Sequence, residues 1–286
     1  MSGTLFVVST PIGNLDDITF RALKILKEVD IIAAEDTRRT RALLSHFDIH
    51  TKLISYHQHN ESKRANELIA LLKDGRDIAV VTDAGTPGIS DPGRVLVEKA
   101  FLNDIKVCPI PGASAVTTAL SVCPFLYDRY LFYGFLPSKK GELKKALNNL
   151  KDRREVLVFF ISPHKINIIF EVLCSFFSAR RALLARELTK VYETIVVDEI
   201  CNIFNKIKNG LEIKGEVTLI IEGNREDKDM FTDLARLESH NIFLLLEILF
   251  KKGLSSKDIV ELLTEVFNLK KKMAYNLVNR FREDER

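Results

Sequence analysis

The stretch Ile78-Ala79-Val80-Val81-Thr82-Asp83-Ala84-Gly85-Thr86-Pro87-Gly88-Ile89-Ser90-Asp91-Pro92-Gly93-Arg94 governs how the rest of the chain is read. It opens on a short, continuous apolar run rich in β-branched residues, the pattern of a strand covered on both faces; a strand with one wet face would alternate. The run passes into a loop dense in glycine and proline and carrying two aspartates. Glycines let a backbone approach a ligand closely and prolines fix its path. A helix over Arg94 to Leu102 follows. In an open parallel sheet, ligands bind where such loops leave the carboxyl ends of strands.

Outward from this segment, strands and helices alternate. Leu5 to Val8, Ile31 to Ala34, Lys52 to Tyr56 and Lys106 to Ile110 read as strands. Thr37 to His46, Glu61 to Lys73 and Ala113 to Val122 read as helices. Asp16 and Asp17 are expected to cap a helix whose Ile18, Ala22, Leu23, Leu26 and Val29 share one face. Two more loops directly follow buried strands: Ser9-Thr10-Pro11-Ile12-Gly13-Asn14 and Pro109-Ile110-Pro111-Gly112-Ala113-Ser114-Ala115. No G-x-x-x-x-G-K-[ST] occurs and no G-x-G-x-x-G opens the first helix, which argues against a phosphate cradle for ATP or a dinucleotide.

Pro124 and the polar turn Tyr127-Asp128-Arg129 mark a boundary. Beyond it, Tyr130 to Phe135, Val156 to Ile161, Ala182 to Arg186, Glu193 to Val197 and Val217 to Ile221 are strand candidates, with helices over Leu143 to Leu150 and Ile166 to Phe177. Fewer helices per strand imply a mixed sheet. After the polar stretch Gly223 to Asp229 the character changes. Ile242 to Phe250, Ser256 to Phe267 and Lys271 to Phe281 read as three helices, with a capped start at Ser255 and a stop at Gly253. The expected architecture is α/β: a parallel-sheet domain over 1–122, a mixed-sheet domain over 130–225, and a helix-turn-helix-like module over 235–286.

The bulk properties are those of an ordinary globular protein: 286 residues, 46% hydrophobic, 28% charged, formal net charge +3. The whole is no polycation, so affinity for nucleic acid has to come from local patches. Two stretches qualify: Lys139 to Arg154, and Lys270 to Arg282 with Tyr275 interleaved. Cys108, Cys123, Cys174 and Cys201 have no C-x-x-C spacing and read as reduced structural thiols, with no metal site. The amino-terminal residues lack the features of a signal peptide. The most apolar stretch, Ile242 to Phe250, is too short to span a bilayer. A cytoplasmic location is the expectation.

A family resemblance rests on several segments in order. Thr10-Pro11-Ile12-Gly13-Asn14-Leu15, Ala34-Glu35-Asp36-Thr37-Arg38, the Asp83 to Gly93 loop and Pro109 to Ala115 resemble the tetrapyrrole (corrin/porphyrin) methylase superfamily. Gly134-Phe135-Leu136-Pro137, Ala185-Arg186-Glu187-Leu188-Thr189-Lys190, Lys214-Gly215-Glu216 and Glu222-Gly223 are similar to one branch of it. That branch methylates the ribose 2'-hydroxyl of a cytidine in the decoding region of small-subunit (16S) ribosomal RNA. The resemblance implies a two-domain fold with S-adenosylmethionine in the cleft, contacted by Pro11, Ile12, Asp83, Gly85, Thr86, Ile89, Ser114 and Ala115. From the second domain it implies Ser162, Ala185 and Leu188. It also implies ribosomal RNA or the small subunit as partner, and a homodimer. Two positions depart from the pattern: Ile161 stands where a glutamate is usual before Ser-Pro-His, and Lys165 replaces an arginine.

A ribose hydroxyl is a weak nucleophile at neutral pH, so a proton acceptor is expected. Glu35, Asp36, Glu187, Lys190 and Glu193 are candidates; Asp36, Lys190 and Glu193 are taken as the catalytic set. Asp36 is equally readable as a helix cap, and Lys190 with Glu193 as a surface ion pair. His57 and His59 could cap a helix or touch RNA. A methylase acting on a tetrapyrrole or a protein side chain, and a noncatalytic RNA-binding protein that keeps the fold, are the alternatives.

Overall fold

The computed structural model describes residues 2–224, 246–266 and 271–284. The chain forms two compact units, residues 1–224 and residues 225–286. The first unit contains two five-stranded sheets.

The first sheet is built from β1 (Thr4–Val8), β2 (Ile31–Ala34), β3 (Lys52–Ser55), β4 (Ile78–Val81) and β5 (Lys106–Ile110), in the order β3-β2-β4-β1-β5. Every pairing is parallel. Its continuous apolar runs have a direct cause. Leu5, Ile31, Ala33, Ile78 and Val80 pack under α3 (Glu61–Lys73) and α4 (Arg94–Leu102), through Leu68, Leu72, Leu96 and Ala100. Their neighbours Val8, Ile32, Ala34, Ala79 and Val81 face α1 (Phe20–Glu28) and α2 (Thr37–His46), through Ala22, Leu26 and Leu44. Both faces are dry, so neither tolerates polar residues.

The start of α1 departs from the sequence reading. Asp16 and Asp17 lie in a separate 3-10 turn, Leu15–Asp17, entered by Asn14. The helix cap is Thr19, whose hydroxyl accepts the Ala22 N–H at 3.1 Å. The short hydroxyl at Thr19 reaches that amide because its own backbone is still extended. Likewise α5 (Ala115–Ser121) begins two residues later than Ala113, since Ser114 is extended.

The second sheet has the order β6-β7-β10-β8-β9, from β6 (Tyr130–Phe135), β7 (Val156–Ile161), β8 (Arg181–Arg186), β9 (Thr194–Glu199) and β10 (Val217–Ile221). It is mixed: β6 pairs β7 in parallel, and the remaining pairs are antiparallel. One face is covered by α6 (Lys140–Asn148), α7 (Ile166–Phe177) and α8 (Ile200–Lys208). The sequence reading contains no α8, although Ile200, Ile203, Phe204 and Ile207 have helical spacing. The opposite face, with Val156, Val158, Leu183, Ala185 and Ile220, packs on α5 and on Ile12 of the loop after β1. The last helix of the first sheet thus covers the back of the second.

In the C-terminal unit residues 246–251 are helical and are followed by α9 (Ser256–Val266) and α10 (Lys271–Asp284). Leu246, Ile259, Leu263, Ala274, Val278 and Phe281 form its core. The expected cap and stop are both present. Ser255 Oγ accepts the Asp258 N–H at 3.3 Å while Asp258 accepts the Ser255 N–H at 3.1 Å, and Gly253 has φ +80°. Residues 242–245 of the first predicted helix, and 267 at the end of the second, lie outside the described residues.

Candidate active site between the two sheets

Three loops leave the carboxyl ends of β1, β4 and β5 and are laced to one another. Thr10 and Gly85 exchange backbone hydrogen bonds at 2.9 and 3.0 Å. Thr10 Oγ1 donates to the Thr82 carbonyl at 3.1 Å, and the hydroxyls of Ser9 and Thr86 lie 2.8 Å apart. Gly85 has φ +84°, a conformation that excludes most side chains. Ser90, at φ +66°, holds a strained backbone in the same loop.

A segment of the second sheet closes on the first of these loops. The turn after β8 places Glu187 and Thr189 at positive φ, 52° and 65°. Thr189 Oγ1 accepts the Asn14 N–H at 3.0 Å. A Cβ on Gly13 would lie 2.5 Å from Lys190 Cγ and 2.9 Å from the Leu188 carbonyl, so the close approach demands glycine there. Lys190 Nζ bridges Glu187 at 2.8 Å and Glu216 at 3.3 Å, and Glu193 accepts the Thr189 N–H at 2.7 Å. Burial opposes ionisation of Glu187, but the Lys190 hydrogen bond and the Glu216 N–H outweigh it and hold its pKa below the ordinary value.

Between these walls lies a cavity of about 380 Å³, within the range of small-molecule sites. Of the expected cofactor residues, Ile12, Asp83, Gly85, Thr86, Ile89, Ser114 and Ala115 line it from the first sheet. Ser162, Ala185 and Leu188 line it from the second, whereas Pro11 is buried beside it. Ile161 is a wall residue, and Lys165 is exposed outside the lining. Arg39 and Thr218 also line the cavity without having been singled out from sequence, and Phe135, read there only as part of the Gly134 to Pro137 motif, lines it too. For Arg39 a signal existed, since it lies four residues beyond Glu35, in the first turn of the helix that follows β2.

The wall is acidic. Glu35, Asp83, Asp91 and Glu216 face the cavity against a single lining cation among the described residues, Arg39. Three of these carboxylates are engaged. Asp83 accepts the Asp36 N–H at 3.0 Å and pairs with Arg39 at 3.4 Å; Glu35 accepts the Asp83 N–H at 3.3 Å; Glu216 pairs with Lys190. Asp91 has no hydrogen-bond or ion-pair partner among the described residues. Burial, reinforced by the negative charges of Glu35, Asp83 and Glu216, pushes its carboxyl up to about 7. Glu35 is also raised, chiefly by burial.

Asp36, Lys190 and Glu193 stand outside the lining, although their neighbours form it. Asp36 caps α2, accepting the Arg38 N–H at 2.8 Å, and its carboxylate pairs with the Arg38 guanidinium at 2.7 Å. Those hydrogen bonds hold it well below the usual carboxylate range. His57 accepts and donates within its own turn through Asn60, and its ring packs edge-on against His59.

Residues 4–203 match the family model of the tetrapyrrole (corrin/porphyrin) methylases. The chain is 46% identical over 224 residues to the ribosomal RNA small subunit methyltransferase I of Halalkalibacterium halodurans, covering 78% of this chain and 77% of the relative. It is 39% identical to the protein of the same name from Buchnera aphidicola, over 96% of both chains. Among solved structures it resembles uroporphyrin-III C-methyl transferase from Thermus thermophilus complexed with S-adenyl homocysteine, at 15% identity and a TM-score of 0.53, covering 77% of this chain and 97% of that one.

Proposed function

The chain belongs to the tetrapyrrole (corrin/porphyrin) methylase family, and on that premise we propose that it transfers a methyl group from S-adenosylmethionine to small-subunit ribosomal RNA. One observation carries the RNA reading. The likeness to a relative so named extends over 96% of both chains, and so takes in the C-terminal helices that the family match, ending at residue 203, does not reach. Within this reading the acceptor is the ribose 2'-hydroxyl of a cytidine in the decoding region.

The cavity suits the donor on its own chemistry. Ile12, Ala115, Ala185 and Leu188 offer apolar contact for an adenosyl group. The excess of carboxylates favours a ligand with net positive charge and disfavours the neutral sulfide left after transfer. When bound, S-adenosylmethionine supplies an electrophilic methyl on a sulfonium, so the donor needs no further activation. What remains for the protein is to align the acceptor oxygen and take its proton; orientation alone supplies up to ~7–11 kcal/mol. We assign the proton to Asp91, whose unpartnered carboxylate faces the cavity. Asp36, Lys190 and Glu193 act as positioning residues: Asp36 fixes the start of α2, and the other two hold the turn that closes on Gly13.

The remaining parts of the proposal are supported by surfaces. Lys144, Lys145, Lys151 and Arg153 are exposed beside α6, and Lys271, Tyr275 and Arg282 are exposed on α10, so both patches are free to meet phosphate or bases. For a homodimer the support is an uncovered apolar edge: Val191, Tyr192, Ile195 and Val197 are exposed beside and along β9, the last strand of its sheet. No helix of the described residues is long and apolar enough to cross a membrane, and the proposed substrate belongs to the cytoplasm.

The deciding experiment is incubation with labelled S-adenosylmethionine and small ribosomal subunits lacking ribose methylation, followed by nucleotide mapping. A single labelled 2'-O-methylcytidine is expected. Absence of label, with donor binding established by calorimetry, would transfer the reading to another acceptor.

A further inference from the structure

Strand β6 contains an irregularity beside the cavity. Phe132 pairs with Val158 and Phe135 with Phe160, but the register slips between Phe132 and Gly134, and Gly134 has φ +84°. In a regular strand, residues three apart point to opposite faces. The bulge adds one residue, so Phe132 and Phe135 share a face, and both pack edge-on against Phe160, at 5.0 and 5.5 Å between ring centroids. Tyr133 goes to the other side, against Phe159. The bulge is seated on the Gly/Pro loop: a Cβ on Gly134 would stand 3.2 Å from Ser90 Oγ, next to Asp91.

The result is a phenyl ring that lines the cavity yet remains 59% exposed. Regular pairing would have turned it away. Bulges that re-aim a side chain beside a functional site are a recurring device. A half-exposed apolar ring lining the same cavity as Asp91 has the chemistry to receive the flat face of a nucleobase. Single-stranded RNA is recognised largely by stacking unpaired bases on such rings, and the contact tolerates any base.

We propose that Phe135, turned into the cavity by the β6 bulge, is the platform on which the base of the target nucleotide stacks, setting its ribose against Asp91. The inference rests on the reading of RNA as acceptor. Phe135 supplies position; discrimination between bases falls to polar groups elsewhere.

The test exploits the absence of tryptophan from the sequence. Phe135→Trp introduces a sole tryptophan whose emission reports stacking directly. A single-stranded ribo-oligonucleotide carrying the target sequence is expected to quench it, and S-adenosylhomocysteine alone is not. In parallel, Phe135→Leu is expected to raise KM for small subunits or lower kcat/KM by roughly 5- to 100-fold, as loss of one stacked base does. Phe135→Tyr is expected to recover most of that loss. Donor affinity of Phe135→Leu by calorimetry should stay within about twofold of wild type, with the far-ultraviolet spectrum confirming the fold. Quenching by S-adenosylhomocysteine without RNA, or a parallel fall in donor affinity, would place the donor's adenine on this ring and overturn the proposal. Unchanged kcat/KM in Phe135→Leu would overturn it as well. Wild-type protein that labels no ribosomal RNA refutes the methylation reading instead, and the oligonucleotide quench reads out separately from that.

Discussion

Replacing Asp91 by Asn should make the protein more stable and nearly inactive, with a stability gain that depends on pH. The carboxyl is raised from 3.8 to about 7 by burial and by Glu35, Asp83 and Glu216. Well below pH 3.8 it is protonated in folded and unfolded chains alike. Between pH 4 and 7 the unfolded chain releases this proton while the folded chain keeps it, so rising pH favours unfolding; above 7 the loss is complete. The full shift corresponds to up to ~4 kcal/mol. Asp91 is only about half-buried, and screening reduces the effect to about 1–2 kcal/mol. Asparagine has nearly the same shape and no charge, so it escapes the penalty. Thermal denaturation of wild type and Asp91→Asn at pH 5, 6.5 and 8 should show a gap that widens with pH, to roughly 2–6 °C at pH 8. The same variant should lose ~100- to 10,000-fold in single-turnover rate, as expected when a proton acceptor is removed. The wild-type rate should climb as pH rises through about 7. Melting curves that stay parallel from pH 5 to 8, or a variant less stable at pH 8, would show that Asp91 is not the strained carboxylate described here. A normal rate would remove it from the chemistry.

Three further outcomes follow from the site. Gly13→Ala sets a methyl group 2.5 Å from Lys190 Cγ and 2.9 Å from the Leu188 carbonyl, so it should cost about 1–3 kcal/mol of stability and weaken donor binding by calorimetry; unchanged affinity would show that the clasp does not shape the cavity. Asp36→Ala should lower the melting temperature by loss of the α2 cap while leaving the single-turnover rate near wild type, and a large loss of rate would instead make Asp36 part of the chemistry. A chain lacking residues 225–286 should bind S-adenosylmethionine normally and methylate subunits poorly; equal loss of both, measured by calorimetry and label incorporation, would refute a separate RNA-binding role for those helices.

Most of the first sheet was legible because its strands are short apolar runs and its helices have dry faces, so that Ile31 to Ala34 or Ile78 to Val81 admit little else. The loops were legible by their glycines and prolines. What escaped were features set by contacts distant in sequence. Helix α8 is amphipathic, but it follows β9 with no intervening turn residue to announce it. Thr19 rather than Asp16 caps α1 because a 3-10 turn intervenes, and nothing local distinguishes the two carboxylates from the hydroxyl. Asp36, Lys190 and Glu193 have the chemistry of catalytic groups, yet whether a side chain faces a cavity or a neighbouring cation depends on where Arg38, Glu187 and Thr189 come to rest. Asp91 and Phe135 were visible as residues; their orientation depends on a left-handed Ser90 and on one extra residue in β6. A periodicity argument cannot foresee such a slip, because the slip breaks the period on which it relies.

The clasp between Asn14 and Thr189 joins residues 175 positions apart, and this has a consequence for biosynthesis. All five strands of the first sheet and the helix α5 are complete by Ser121, so the residues of that sheet leave the ribosome before those of the second. The Asn14 N–H of its first loop, however, has no acceptor until the turn at 187–193 emerges, and one wall of the cavity waits for Gly215 to Thr218. Contacts of such long range form late and slowly. A nascent chain halted halfway would therefore lack one side of the cavity. The cavity proposed for the donor is complete only when the second sheet is nearly complete, so on that reading a partly made chain cannot sequester S-adenosylmethionine.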